Sequence, residues 1–93
     1  MAAQLYLVIE RFKNGDPGPV YQRFRERGRM APAGVEYIGS WVTEDLTTCY
    51  QVMQSAERAL LEEWIASWRD LVDFEVLPVI SSAEAAARAA PVR

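Results

Sequence analysis

Histidine is absent from the chain. Its absence removes the commonest general base, the commonest metal ligand and the usual sensor of physiological pH. No Ser–His or Cys–His nucleophile pair can be assembled. Cysteine occurs once, as Cys49. A single thiol makes neither an internal disulfide nor a cysteine zinc cage, and it fits a reducing cytoplasm, the expected location. Phosphate-loop, dinucleotide, zinc and calcium motifs are missing. Gly15, Pro17 and Gly18 make a turn, because no Gly-Lys-Ser/Thr follows them. No metal and no cofactor are therefore expected. No apolar run is long enough to span a bilayer, and no basic stretch precedes the first apolar segment, so neither a membrane span nor a secretion signal is expected. Basic charge is short as well: 10 Lys+Arg stand against 13 Asp+Glu, for a net charge of −3. A phosphate backbone calls for a basic surface, which argues against a nucleic-acid partner.

What is present is apolar. Of 93 residues, 51% are hydrophobic. That is enough for one core and one domain, and it excludes disorder of the whole chain. Leu5-Tyr6-Leu7-Val8-Ile9 reads as a buried strand. Asn14-Gly15 and Asp16-Pro17 are turn signals, and Asp16 can cap a helix that begins at Pro17 and runs to about Arg27. Val20, Tyr21, Phe24 and Gly28 share one face of it. Strands are expected over 35–42 and 47–54, joined as an antiparallel hairpin through Thr43–Leu46. Ser55 offers the N-cap of a second helix, in which Leu60, Leu61, Trp64, Ile65 and Trp68 form an apolar stripe. A fourth strand is expected over 71–79, with Pro78 placing it at an edge.

The predicted fold is α+β, a ferredoxin-like β-α-β-β-α-β order. Right-handed crossovers put two helices on one face of a four-stranded antiparallel sheet. The other face is the difficulty, because the first strand is apolar on both sides, unlike a half-solvated strand. With a four-residue hairpin loop, Trp41 opposes Thr48 and Gly39 opposes Tyr50. Tyr37, Trp41, Tyr50 and Val52 then share one face, and Ile38, Ser40, Cys49, Gln51 and Met53 the other. A second copy of the chain, packed sheet against sheet, would cover what the helices do not. The folded domain is assigned to residues 1–80. Residues 81–93 form an alanine-rich tail, with Ser81 and Glu84 spaced as a capping box, that is either frayed or an arm on a partner subunit.

Four segments carry a resemblance to a known family. They are Val8-Ile9-Glu10-Arg11-Phe12-Lys13-Asn14-Gly15-Asp16-Pro17, then residues 21–30 from Tyr21 to Met30, then Ser40-Trp41-Val42, and lastly residues 64–75 from Trp64 to Glu75. Together they resemble the DUF3303 family of small bacterial proteins, itself similar to the dimeric α/β barrel group. The resemblance covers roughly residues 5 to 79. It implies a ferredoxin-like fold and a back-to-back homodimer, and it implies no established activity. Wider relatives include cofactor-independent monooxygenases, muconolactone-type isomerases, chlorite dismutase-like haem proteins and ligand-sensing regulatory domains, between which fold alone does not choose. The lack of histidine separates this chain from members that ligate haem or metal through imidazole.

The candidate site residues are Tyr6, Glu10, Arg25, Arg29, Trp41, Tyr50, Trp64 and Trp68. Glu10 shares parity with Tyr6 and Val8. Desolvated, it would have a raised pKa and could move protons; the commoner arrangement is a strand-end carboxylate paired with Arg25 or Arg29. Arg25 and Arg29 stand four apart and could grip a carboxylate or phosphate, although arginines on an outer helix face are usually solvated. The aromatics could wall a pocket for a flat ligand, yet the spacing of Trp64 and Trp68 more often marks core. Cys49 reads as a small buried hydrophobe. Ser40 and Gln51 read as polar members of a seam or a pocket. Two functions fit. One is a homodimeric module that binds a small organic ligand or a protein partner. The other is a cofactor-independent enzyme, monooxygenase- or isomerase-like, with Glu10 as its acid.

Overall fold

In a computed structural model that describes residues 3–90, the first strand β1 runs Gln4–Phe12. It is longer than the expected Leu5–Ile9. Alternation continues past the apolar run: Glu10 and Phe12 point inward and are buried, while Arg11 points outward and pairs with Glu75 at 3.1 Å. A short turn, Lys13–Gly15, follows, with Asn14 and Gly15 both at positive φ. Helix α1, Gly18–Arg27, begins one residue later than expected, so Pro17 takes the N-cap position and Asp16 stands just before it, its carboxylate accepting from Gly18 N–H at 2.9 Å.

Strands β2, Val35–Val42, and β3, Thr48–Ser55, form the hairpin. Helix α2, Arg58–Ala66, starts after Glu57, not after Ser55. Ser55 instead closes the preceding turn, its hydroxyl donating to Glu57 O at 2.8 Å and accepting from Glu57 N–H at 3.3 Å. Trp68 lies beyond the helix, in a turn that leads into β4, Val72–Val79. The turn keeps Trp68 on the α2 stripe: its N–H bonds to Ile65 O at 3.0 Å, and its carbonyl accepts from Leu71 N–H at 2.9 Å.

The strands lie in the order β2-β3-β1-β4, each neighbour antiparallel, so β1 and β3 are central. Taken alone, the chain forms an open sheet and not a barrel. One face carries the core. Tyr6, Val8 and Phe12 of β1, Cys49 and Met53 of β3 and Val72 of β4 are buried there with Val20 of α1 and Leu61, Trp64 and Ile65 of α2. Each such large side chain contributes about 1.5–3 kcal/mol of burial. Arg23 straps α1 to the turn after α2, with a two-pronged ion pair to Asp70 (2.7 Å for each prong) and a bond to Ser67 O at 3.1 Å.

The hairpin register differs from the expected one. Trp41 opposes Tyr50 and Gly39 opposes Val52, a slip of two residues. Because strand side chains alternate with period two, a slip of two preserves faces. A bulge between Tyr37 and Gly39 does not: it sets Tyr37 opposite Met53, on the helix-covered face, and not beside Trp41.

Among the described residues no helix covers the opposite face. Its rows across the sheet are Trp41–Tyr50–Ile9–Glu75, then Gly39–Val52–Leu7–Leu77. Trp41 is 66% exposed, Leu77 41% and Tyr50 39%. The alanine-rich segment forms a third helix, α3, Ser82–Ala89, none of whose residues is buried. Ser81 caps it, accepting from Glu84 N–H at 3.1 Å, while the Glu84 carboxylate turns forward to pair with Arg88.

Candidate ligand-binding site

The inward rows of the sheet place polar groups beneath the helices. Val42, Cys49, Glu10 and Phe74 form one row, and Ser40, Gln51, Val8 and Val76 the next. Above them a cavity of about 160 Å³ opens between sheet and helices. Its floor is Glu10, Cys49, Gln51, Ser40 and Val42, and its walls include Phe12, Val20, Trp64 and Trp68. Tyr21 and Phe24 of α1, both about two-fifths exposed at 38% and 40%, stand at its rim.

Arg29 enters from the loop after α1. Gly28 and Met30, both at positive φ, bend the chain on either side of it. Its carbonyl accepts the indole N–H of Trp64 and that of Trp68, each at 3.0 Å. Its guanidinium lies 3.7 Å from the centroid of the Tyr37 ring and 5.2 Å from that of Phe24. One Nη donates to Gln51 Oε1 at 3.2 Å. The bulge that turns Tyr37 inward therefore supplies the surface on which Arg29 rests. Tyr37 is held in turn by a 2.7 Å hydrogen bond between its hydroxyl and that of Ser40.

Glu10 is 8% exposed, and its buried Oε2 has no hydrogen-bond partner among the described residues. Burial pushes its pKa up to about 7, with Arg29 pulling in the opposite direction. The pairing expected of it, with Arg25 or Arg29, does not form: no ion pair among the described residues involves Glu10. Beside it the Cys49 thiol is pushed up to about 12, by burial first and by Glu10 second, against a lowering influence of Arg29. Tyr21 is raised by burial, with Cys49 and Glu10 adding to the effect. Both are neutral near pH 7. Among the described residues no cluster of three or more acidic, thiol or imidazole ligands could hold a metal ion.

The cavity brings together Glu10, Arg29, Trp64 and Trp68 from the sequence candidates. The other four lie elsewhere. Tyr6 is buried farther along the sheet, opposite Met53 and Pro78, with the Arg58 guanidinium 5.5 Å over its ring. Arg25 is exposed on α1. Trp41 and Tyr50 lie on the uncovered face. Trp64 and Trp68 are core and cavity wall at once, at 2% and 5% exposure. Tyr21, one of the aromatics that could wall a pocket, and Ser40 and Gln51, read as polar members of a seam or a pocket, do line the cavity, whereas Phe24 and Cys49 line it without having been candidates. The signal for Gln51 lay in its parity: it shares a face with Cys49 and Met53, and a buried amide on an apolar face needs partners.

Chemically, the site holds one carboxyl whose pKa burial pushes up to about 7, one guanidinium without an anionic partner among the described residues, and aromatic walls. The family model described as a domain of unknown function, DUF3303, matches residues 4–93, which includes α3 as well as the segment the resemblance covered. No curated protein and no solved structure matches the chain.

Proposed function

The chain belongs to the DUF3303 family, a domain of unknown function, and from that premise we propose that it is a cytoplasmic, homodimeric binding protein whose helix-side cavity holds a small organic ligand. The observation that carries this reading is the pairing of two incomplete polar groups in one cavity. Oε2 of Glu10 is buried without a partner, and the Arg29 guanidinium faces the same cavity with only a neutral amide as acceptor. Buried polar groups are normally satisfied, and a ligand is what would satisfy these. The strand order β2-β3-β1-β4 with crossover helices suits a ferredoxin-like unit of the dimeric α/β barrel type. The uncovered apolar rows around Trp41, Tyr50 and Leu77 support a second copy packed against that face.

The second reading, a cofactor-independent enzyme of the monooxygenase or isomerase kind, draws on one observation. Burial inside the cavity pushes the Glu10 pKa up to about 7, where a general acid or base is most effective. Thermal-shift screening of ring-sized fragments separates the two. Fragments that raise the melting temperature and are recovered unaltered support binding. Conversion of the fragment, lost in Glu10→Gln, supports the enzyme. A cavity-filling Val42→Trp variant that responds to the same fragments as the wild type would remove the cavity from either reading.

A further inference from the structure

Resting on the binding reading above, we infer that the cavity takes a small aromatic carboxylate, held at Arg29 with the acid form of Glu10 donating a hydrogen bond to it, so that wherever Glu10 is ionised in the free protein each molecule bound takes up one proton.

Size sets the first limit. A cavity of about 150 Å³ accommodates a single benzene ring, and this one measures about 160 Å³. Its walls are flat and apolar where Trp64, Trp68 and Phe24 line it, which suits a ring. Charge sets the second limit. The two groups in it that carry full charge are Arg29 and Glu10. Arg29 takes part in no ion pair among the described residues, and its side-chain hydrogen bond goes to the amide oxygen of Gln51. Over the Tyr37 ring, the guanidinium spends one Nη on Gln51 and faces no carboxylate among the described residues, and guanidinium geometry matches carboxylate and phosphate. Phosphate gives the aromatic walls nothing to contact.

The two charges then dictate the proton. With Glu10 ionised, Glu10 and Arg29 balance, and an anion would bring a second negative charge into a buried site. With Glu10 protonated, the cavity carries one uncompensated positive charge, and a monoanion neutralises it. The proton comes from solvent and stays on Glu10 while the ligand is bound. The titratable groups that face Glu10 are Arg29 from the loop, Tyr21 from α1 and Cys49 from β3. Strand β4 presents Phe74 opposite Glu10, and α2 presents Trp64. Tyr21 and Cys49 are raised and stay neutral, so Glu10 alone changes charge over the working range.

The test uses benzoate and its neutral isostere benzamide, followed by tryptophan fluorescence and calorimetry on the full-length protein. Benzoate affinity is expected to be flat between about pH 5, above which the ligand is ionised, and about pH 7, and to fall about tenfold per pH unit above that. At about pH 8, binding heats in phosphate and in Tris should differ by about one proton taken up per benzoate. Benzamide should bind more weakly with no proton uptake. Glu10→Gln should bind benzoate with no pH dependence and no proton uptake, since the amide still donates. Arg29→Met should lose benzoate and keep benzamide. Benzamide binding as tightly as benzoate, or benzoate binding without proton uptake, overturns this inference and leaves cavity binding intact. Binding of neither compound at tens of millimolar overturns both.

Discussion

Trp64 and Trp68 donate their indole N–H groups to one acceptor, the carbonyl of Arg29, at 3.0 Å each. One residue lies on α2 and the other in the turn beyond it, so the shared oxygen fastens the Arg29 loop to the cavity wall at two points. The guanidinium's position over Tyr37 follows from where this backbone is held.

A shared acceptor predicts non-additivity. Trp64→Phe or Trp68→Phe alone leaves the Arg29 carbonyl one donor, at a cost of about 1–3 kcal/mol for the lost bond and volume. The double variant strands a buried carbonyl, which adds about 1–3 kcal/mol. Urea denaturation of the four proteins should give a double-mutant loss greater than the sum of the singles by about 1 kcal/mol or more. Additivity within about 0.3 kcal/mol would mean that the two bonds act independently.

Glu10 predicts a stability that falls as pH rises. Burial pushes its folded pKa up to about 7, above its ordinary value of 4.5. Between those values the unfolded chain has already released the proton that the folded chain keeps, so unfolding gains as pH rises. Its contribution is fully present below about 4.5, lost through about 7, and constant beyond. Glu10→Gln removes this slope. Measured against the wild type, the variant should be more stable at about pH 8 by roughly 3 kcal/mol, with the advantage vanishing near pH 4. An unchanged difference across that range would show that Glu10 ionises as freely as an exposed carboxylate.

The elements were legible because hydrophobic period and turn chemistry agreed. Asn14-Gly15, the alternation of β3 and the α2 stripe each pointed to one structure. Half of the candidate site was legible for a related reason: Glu10 shares parity with buried Tyr6 and Val8, and Trp64 and Trp68 share the helix stripe. Trp41 and Tyr50 were drawn in by residue type, yet parity puts them on the uncovered face. The bulge at Ile38 left no mark in composition, and it alone turns Tyr37 inward to meet Arg29. Arg29 and Arg25 looked equivalent four residues apart. The turn at Gly28 separates them, ending the helix so that Arg29 swings under it while Arg25 stays outside.

Cys49 should be inert in the folded protein. Its thiol is buried and pushed up to about 12, which leaves almost no thiolate at neutral pH. Iodoacetamide at about pH 8.5 should leave native protein unmodified by mass spectrometry and alkylate it completely in urea. Alkylation of native protein at the rate of a free thiol would show that the Cys49–Glu10 row opens to solvent, and the desolvation assigned to Glu10 would fail with it.

The uncovered face predicts an assembly that one residue controls. Trp41 is 66% exposed, and a Cβ placed on Gly39 would come within 3.3 Å of its ring, so the ring lies back across β2 as a flat apolar plate. Nothing described in its own chain covers it, so replacing it should cost the isolated fold about 0.5 kcal/mol or less. At a dimer seam, by contrast, a buried unpaired charge in its place is strongly unfavourable. Light scattering at micromolar concentration should therefore give the wild type twice the 10.5 kDa chain mass, and Trp41→Lys the single mass. The wild-type melting temperature should rise with protein concentration, as mass action requires of a dimer, and that of Trp41→Lys should not. A wild type of single mass with a concentration-independent melting temperature would leave the apolar rows open to water and end the dimer reading.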